Sequence, residues 1–256
     1  MGEAMLKGIL SKGIATPQDI IVNDISSARL ESLKNEYKIA VTHDHGIAAK
    51  GANVVVIAVK PQNLAELMPE LEGRFTRGQL VLSIVAGSRT ATIASGLRHH
   101  SVVRAMPNTP AQIGEGMTVW TASSEVSLAQ KEIARSILGA LGKEIYVPDE
   151  KYLDMATAVS GSGPGYIFLI IEALVDAAVH IGLPREMAEE LVLQTILGAA
   201  YLARETGKRP KELRDMVTSP GGTTAEGLLQ LEEGGLRNLL ARAVAAAYEK
   251  AKELGG

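Results

Sequence analysis

Residues 54–61 read Val-Val-Val-Ile-Ala-Val-Lys-Pro, and residues 80–87 read Leu-Val-Leu-Ser-Ile-Val-Ala-Gly. Both runs are short, rich in β-branched residues and apolar without alternation. A strand with one wet face alternates; a strand apolar throughout is covered on both faces, which favours a parallel sheet between helical layers. Outward from these two, similar runs occupy 20–22, 101–104 and 145–147, and helical patterns lie between them at 28–37, 62–71 and 128–141. Strand and helix in alternation predict an α/β fold built on a doubly wound, mostly parallel sheet.

After residue 149 the strands stop, and 151–181, 184–206, 211–217, 224–232 and 236–254 read as helices. Gly182-Leu183-Pro184, Gly207 and Gly234-Gly235 punctuate them. The chain therefore divides into an α/β domain, 1–149, and an all-helical domain, 150–256. The stretch 167–178 carries only Glu172 and Asp176 as charges. A helix apolar around most of its circumference needs partners on every side, which predicts an oligomer interface. At the other end, Met1-Gly2-Glu3-Ala4-Met5 leads straight into an amphipathic helix with Ala4, Leu6, Ile9 and Leu10 as apolar positions. A doubly wound sheet ordinarily begins with the strand that becomes its centre. The expectation is thus a sheet whose first strand is absent.

Composition narrows the function. The 256 residues carry 26 Lys plus Arg against 29 Asp plus Glu, a net charge of −3, which lacks the basic footprint of a nucleic-acid binder. No uninterrupted apolar run reaches the ~18 to 20 residues of a membrane span, and Lys7, Lys12 and Asp19 break any secretory leader. A cytoplasmic protein is expected. The absence of cysteine removes disulfides, thiolate nucleophiles and cysteine-bound metals. His43-Asp44-His45 and His99-His100 offer no third ligand pattern, so no metal is expected.

Candidate chemistry clusters where strands end. Ala58-Val59-Lys60-Pro61 sets a cation at the carboxyl end of a buried strand, the edge on which open α/β sheets bind ligands; a solvated lysine in a proline turn is the competing reading. Ala86-Gly87 repeats the geometry one strand later, suited to a planar ring or to a tight turn. Asn108, in Arg104-Ala105-Met106-Pro107-Asn108-Thr109-Pro110, serves a ligand amide or closes an Asx turn. Ser160-Gly161-Ser162-Gly163-Pro164-Gly165 lies inside a helical pattern where its glycines and proline cost roughly 6 kcal/mol relative to alanine, so either a ligand or a crossing helix needs the break. Finally, Ser219-Pro220-Gly221-Gly222-Thr223-Thr224 precedes an apolar helix from about Ala225, a pattern for an anion nest that suits a carboxylate, or for an ordinary cap.

These motifs, in this order, resemble the pyrroline-5-carboxylate reductase family over essentially the whole chain. Its carriers are Ala58–Pro61, the Arg104–Pro110 stretch, Ala158–Tyr166 (A-V-S-G-S-G-P-G-Y) and Leu213–Leu231 (L-R-D-M-V-T-S-P-G-G-T-T-A-E-G-L-L-Q-L). The resemblance implies an N-terminal Rossmann-like dinucleotide-binding domain and a C-terminal domain that interleaves with its twin as a homodimer, often built further into decamers. It implies reduction of 1-pyrroline-5-carboxylate to L-proline with NADPH or NADH. Carried over by position, Ser219, Gly221, Gly222, Thr223 and Thr224 hold the substrate carboxylate, and Thr224 is the catalytic donor toward the ring nitrogen. Met1, Gly2, Asn23, Asp24, His45, Ala58, Val59, Lys60, Pro61, Ala86, Gly87 and Asn108 bind the cofactor.

The chain departs from the family pattern in three places. Of the glycine fingerprint after the first strand only Met1-Gly2 remains, and His45 stands where the family commonly has asparagine. Asp24, about 22 residues after Gly2, suits a ribose 2'-hydroxyl and repels a 2'-phosphate, which favours NADH. Two rivals bracket this reading. β-Hydroxyacid dehydrogenases share the two-domain plan but need a lysine where this chain has Ile167, which excludes them. A non-catalytic homologue, acting as a helical dimerisation or binding protein, is the alternative from another class.

Overall fold

The computed structural model describes residues 1–255, which form two compact units: Met1–Ser162 with the end of the chain from Ala247, and Gly163–Ala246. The first unit runs α1 (Gly2–Ser11), β1 (Ile21–Asn23), α2 (Ser27–Tyr37), β2 (Ala40–Thr42), α3 (His45–Ala49), β3 (Val54–Ile57), α4 (Pro61–Leu71) and β4 (Leu80–Ser83). It continues through α5 (Thr90–Leu97), β5 (Val102–Met106), β6 (Gly116–Ala122), α6 (Leu128–Gly139), β7 (Gly142–Tyr146) and α7 (Lys151–Ala156). A π-turn, Thr157–Gly161, leads to α8 (Gly163–His180), α9 (Arg185–Thr206), α10 (Pro210–Met216), α11 (Thr223–Glu233) and α12 (Leu236–Gly255).

The mostly parallel sheet expected from the apolar runs is present. Strands β3-β4-β5-β6-β7 lie side by side, with Val55 opposite Val81 and Leu82 opposite Val103 in parallel register. One strand is reversed: β6 pairs antiparallel with β5, Ala105 opposite Trp120. Nothing in the apolar runs points to β6, because Gly116-Met117-Thr118-Val119-Trp120-Thr121-Ala122 mixes threonine into a strand that is buried along almost its whole length. Thr118 Oγ1 is the single buried side-chain polar atom without a partner among the described residues.

Strands β1 and β2 pair with each other as a separate two-stranded parallel sheet, and β1 and β3 each have one strand neighbour. Two strands alone are marginal in water. Helix α1 supplies the missing cover by packing into two cores at once: Ala4 and Met5 lie with Leu80, Leu82 and Trp120, while Leu6 lies with Leu33 and Ile39. Met5, which falls outside the apolar stripe of Ala4, Leu6, Ile9 and Leu10, is the deepest residue of the helix at 2% exposure. Full burial of such a side chain contributes about 1.5–3 kcal/mol.

A buried guanidinium ties the sheet to α7. Arg104 on β5 is 2% exposed. Its Nη1 donates to Glu150 Oε1 at 2.9 Å and its Nη2 to Asp154 Oδ1 at 3.0 Å. Glu150 Oε1 also accepts from the Thr90 backbone N–H and hydroxyl, both at 2.8 Å, so the start of α5 joins the network. Burial pushes the Glu150 carboxyl up, but the hydrogen bonds from Arg104 and Thr90 outweigh it and hold the group below its ordinary value. Because α7 packs on β5 and β6, the compact division falls after Ser162, whereas the strand patterns stop at residue 149.

The second unit is entirely helical. Helices α8 and α9 pack as a hairpin closed at Gly182, whose φ of +105° suits glycine. Each has a single buried residue, Val175 and Ala188 respectively. Phe168, Leu169, Leu191 and Leu197 are all exposed by half or more. The continuous stretch Lys151–His180 is by length and composition apolar enough to cross a membrane, with a mean hydropathy of 1.5 over its most apolar window. Its apolar runs are short, because Glu172 and Asp176 interrupt 167–178 and glycines and serines precede it, yet the mean stays high.

The Arg104 network makes a testable prediction. Glu150→Gln should destabilise the first unit by about 2–3 kcal/mol near neutrality, less than a fully buried pair because Glu150 is partly exposed. A depressed carboxyl stabilises the fold above its unfolded value, about pH 4.3, and that contribution disappears as pH falls through the lower folded value. Urea titrations should therefore show the variant and the parent converging below about pH 4; a gap that persists undiminished in acid would contradict the assignment.

Candidate active site

Of the cofactor candidates, Asn23 ends β1 and Asp24 follows it, Ala58–Pro61 follow β3, Ala86-Gly87 follow β4 and Asn108 follows β5, whereas Met1 and Gly2 lie at the start of α1 and His45 begins α3. At the end of β1, the Asn23 side chain donates to the Thr42 carbonyl at 3.1 Å and so ties β1 to the end of β2. Asp24 is half-buried, and its Oδ1 accepts from the Ser26 N–H at 2.8 Å, which turns the chain into α2. Beside it, His43 makes two contacts: Nδ1 lies 3.0 Å from the Asp24 carbonyl and Nε2 lies 3.3 Å from Ser27 Oγ. His45 points elsewhere, its Nε2 3.3 Å from Glu70. The two histidines of His43-Asp44-His45 thus serve different partners. Asp44 caps α3 by accepting from the Ile47 N–H at 2.9 Å, and that bond chiefly holds its carboxyl below the ordinary range.

Strand β3 ends at Ile57, two residues before the run of apolar residues does, and Lys60 and Pro61 become the cap and first residue of α4. Proline is suited to that position because the missing N–H would have no helical partner. Ala58 is exposed, and a Cβ built on Gly2 would meet its side chain at 3.2 Å, so the start of α1 and the end of β3 are close neighbours. Lys60 forms no ion pair among the described residues. One strand on, Gly87 has φ +75°, and a Cβ there would lie 2.7 Å from the Leu254 carbonyl oxygen. The glycine is therefore required by the end of α12.

Asn108 is occupied at both ends. Its Nδ2 donates to the Ser160 carbonyl at 3.0 Å, and its Oδ1 accepts from the Met117 N–H at 2.8 Å. The reason lies four residues past Ser160: Pro164 has no N–H, so the carbonyl that would take its bond in an α-helix needs another donor. The π-turn at Thr157–Gly161 is the local result, closed by Ser162 N–H donating to the Thr157 carbonyl at 2.8 Å. Gly161 also accommodates Met106, whose Cε would lie 3.0 Å from an added Cβ. Asn108 thus holds backbone on both sides of the loop, with the second Nδ2 hydrogen and the second Oδ1 lone pair unused by these two bonds.

In the second unit, Ser219–Thr224 forms a tight turn. Gly221 has φ +70°, Gly222 N–H donates to the Ser219 carbonyl at 3.0 Å, and Gly222 caps α11. The helix begins at Thr223, one residue before the 224–232 pattern, and Thr224 lies in its first turn. Among the described residues no hydrogen bond takes up the N–H or hydroxyl of Thr223 or Thr224. Four donors at a helix N-terminus suit an anion.

A mostly parallel sheet followed on one chain by an all-helical unit with bare apolar faces is the architecture of two-domain dinucleotide-dependent oxidoreductases. Residues 1–87 match the family model of coenzyme F420-dependent NADP oxidoreductases, and 150–254 match that of pyrroline-5-carboxylate reductase dimerisation. The chain is 44% identical to the pyrroline-5-carboxylate reductase of Synechocystis sp., over 100% of this chain and 95% of that protein. It superposes on the reductase structure from Coxiella burnetii with TM-score 0.89 at 41% identity, covering 100% and 95% of the two chains. The Plasmodium falciparum pyrroline carboxylate reductase, solved with NADP bound, gives TM-score 0.91 at 31% identity, with 100% and 95% covered. This chain belongs to the pyrroline-5-carboxylate reductase family.

The Gly87 geometry can be tested by itself. Gly87→Ala combines a positive φ with a backbone clash, and should cost about 1–3 kcal/mol in thermal or urea unfolding of the first unit. A shorter helix ending before Leu254 should relieve most of that penalty; equal penalties in both backgrounds would show that α12 is not its source.

Proposed function

We propose that the chain reduces 1-pyrroline-5-carboxylate to L-proline at the expense of NADPH or NADH. The observation that carries the proposal is the first turn of α11, where Thr223 and Thr224 present unpaired backbone and hydroxyl donors. A planar imine with one carboxylate matches it. The full-length likeness to reductases of that name supports the same conclusion.

The chain's own groups fit a nicotinamide dinucleotide. Asp24 has one carboxylate oxygen held by Ser26 and the other without a partner, as a ribose hydroxyl requires. Ala58 and Ala86 follow β3 and β4 with small side chains, Val59, Lys60 and Pro61 continue from Ala58, and Gly2, preceded by Met1, adjoins Ala58. When bound, the cofactor supplies a hydride, two electrons with one hydrogen, to the imine carbon. The residues supply the rest. The donors of Ser219–Thr224 fix the carboxylate and with it the face of the ring, so that alignment contributes much of the rate. Thr224 Oγ donates to the ring nitrogen and passes on the proton that completes the amine; its own acidity is too weak to do more. Asp24 favours NADH over NADPH.

The apolar faces of α8 and α9 serve a homodimer, with further assembly up to a decamer, and the same reading assigns the apolar stretch 151–180 to protein contacts in the cytoplasm and to no membrane. The non-catalytic alternative has no observation in its favour.

Monitoring cofactor oxidation with 1-pyrroline-5-carboxylate should show turnover. Thr224→Ala should lower kcat about 10- to 100-fold while Thr224→Ser stays within a few-fold; an unchanged Thr224→Ala would remove that residue from the mechanism. Phe168→Asp combined with Leu197→Asp should yield monomers by light scattering and lose activity. A persistent dimer would place the interface elsewhere.

A further inference from the structure

We propose that His43 is a proton-linked specificity residue: as an imidazolium it favours a dinucleotide bearing a 2'-phosphate, and as a neutral imidazole it leaves Asp24 to favour the unphosphorylated one. This rests on the reading of the β1 edge as the end of the site that receives the adenosine ribose.

The hydrogen bonds around His43 determine what a proton does. The Asp24 carbonyl 3.0 Å from Nδ1 can only accept, so in the neutral ring Nδ1 carries the hydrogen. Nε2 is then an acceptor, and Ser27 Oγ at 3.3 Å must point its hydrogen inward to it. Protonating Nε2 reverses this second bond. The imidazolium becomes the donor, Ser27 Oγ accepts through a lone pair, and the serine hydrogen is released to point outward. One proton thus adds a positive charge and frees a hydroxyl donor, and Ser27 is the first residue of the eleven-residue helix α2. Both changes favour a phosphate and neither is needed by a hydroxyl.

Of the groups around His43, only a second imidazole, His45, shares its chemistry, and that ring faces Glu70. From the β1–α2 turn, Asp24 presents a carboxylate. On α2, Arg29 is paired with Glu3 of α1. His43, Asp44, His45, Gly46, Glu70 and Arg74 line an open cleft of about 380 Å³. Within it Asp44 stays ionised, held low first by the Ile47 N–H and further by Arg74, and His45 faces Glu70 at 3.3 Å. Arg29 beside Glu3 adds little net positive charge; Arg74, which forms no ion pair among the described residues, is a fixed cation of the cleft, while Asp24 and Asp44 oppose a phosphate. An imidazole is the side chain whose charge changes between about pH 5 and 8. The 2'-phosphate, with a second ionisation near pH 6, is still a dianion over the upper part of that range.

The test is calorimetry of NADP+ and NAD+ binding to the full chain at pH 7.5, in Tris and in Hepes, whose ionisation enthalpies differ. NADP+ should bind with uptake of a fraction of a proton and NAD+ with none. Between about pH 7.0 and 8.0, where the 2'-phosphate stays a dianion, the ratio of the two dissociation constants should move several-fold in favour of NAD+. In His43→Gln both the uptake and the pH dependence should vanish, with NADP+ weak throughout; in His43→Lys they should vanish with NADP+ tight throughout. Ser27→Ala should reduce the shift without abolishing it. NADP+ binding without proton uptake by the parent chain, or pH dependence that survives in His43→Gln, overturns the proposal while leaving the cofactor reading intact. Failure to bind either dinucleotide overturns both.

Discussion

A guanidinium taken out of water has to be paired, and that requirement at Arg104 organises the first unit. Burial of one ion of a pair without the other costs several kcal/mol. The chain meets the demand with Glu150 and Asp154, about fifty positions downstream, so β5 is fastened to α7 by two charge-assisted bonds and Thr90 draws in α5. Two further constraints hang from this joint. With α7 seated on the sheet, the π-turn beyond it lies within reach of Asn108, and Asn108 supplies the hydrogen that Pro164 cannot give to Ser160. The loop after β5 is thereby held at both ends of one amide side chain. What looks in the sequence like a ligand-binding asparagine is first a repair to a helix that contains proline.

Much of the fold is legible because burial leaves a periodic trace. Val54–Ile57, Leu80–Ser83 and the five C-terminal helices can be placed from apolar runs and glycine punctuation alone. Elements stabilised by other means cannot. Strand β6 buries Thr118 and Thr121, which read as surface residues; β2 has three residues; and α5, Thr-Ala-Thr-Ile-Ala-Ser-Gly-Leu, has poor intrinsic helix propensity and is fixed from outside by Glu150. The division of the core between two sheets follows from the pairing of β1 and β3 on one side only, and Met5 and Leu6 show why α1 is apolar on more than a narrow stripe.

At the site, positions can be read from motifs, whereas allegiances depend on the folded chain. Asp24, Ala58, Lys60 and Gly87 do lie at strand ends, yet Gly87 answers to Leu254 and His45 to Glu70. His43, in a histidine pair that offers no metal-ligand pattern, lies against Asp24 and Ser27. No pattern of spacing sorts the two histidines, since which of them faces Asp24 depends on the return of the chain through β2. The Ser219–Thr224 turn is readable as a nest, and the helical pattern from 224 already sets Thr224 at the start of α11, which the structure extends by Thr223.

If this family member transfers hydride to a carbon doubly bonded to nitrogen, in a ring that the α11 turn holds by its carboxylate, the transferred atom can be tracked directly. NADH deuterated at both C4 positions, incubated with 1-pyrroline-5-carboxylate and the protein, should give L-proline carrying one deuterium, located by NMR on C5, the former imine carbon. Unlabelled proline, or cofactor bound and never oxidised in the presence of the imine, would contradict it.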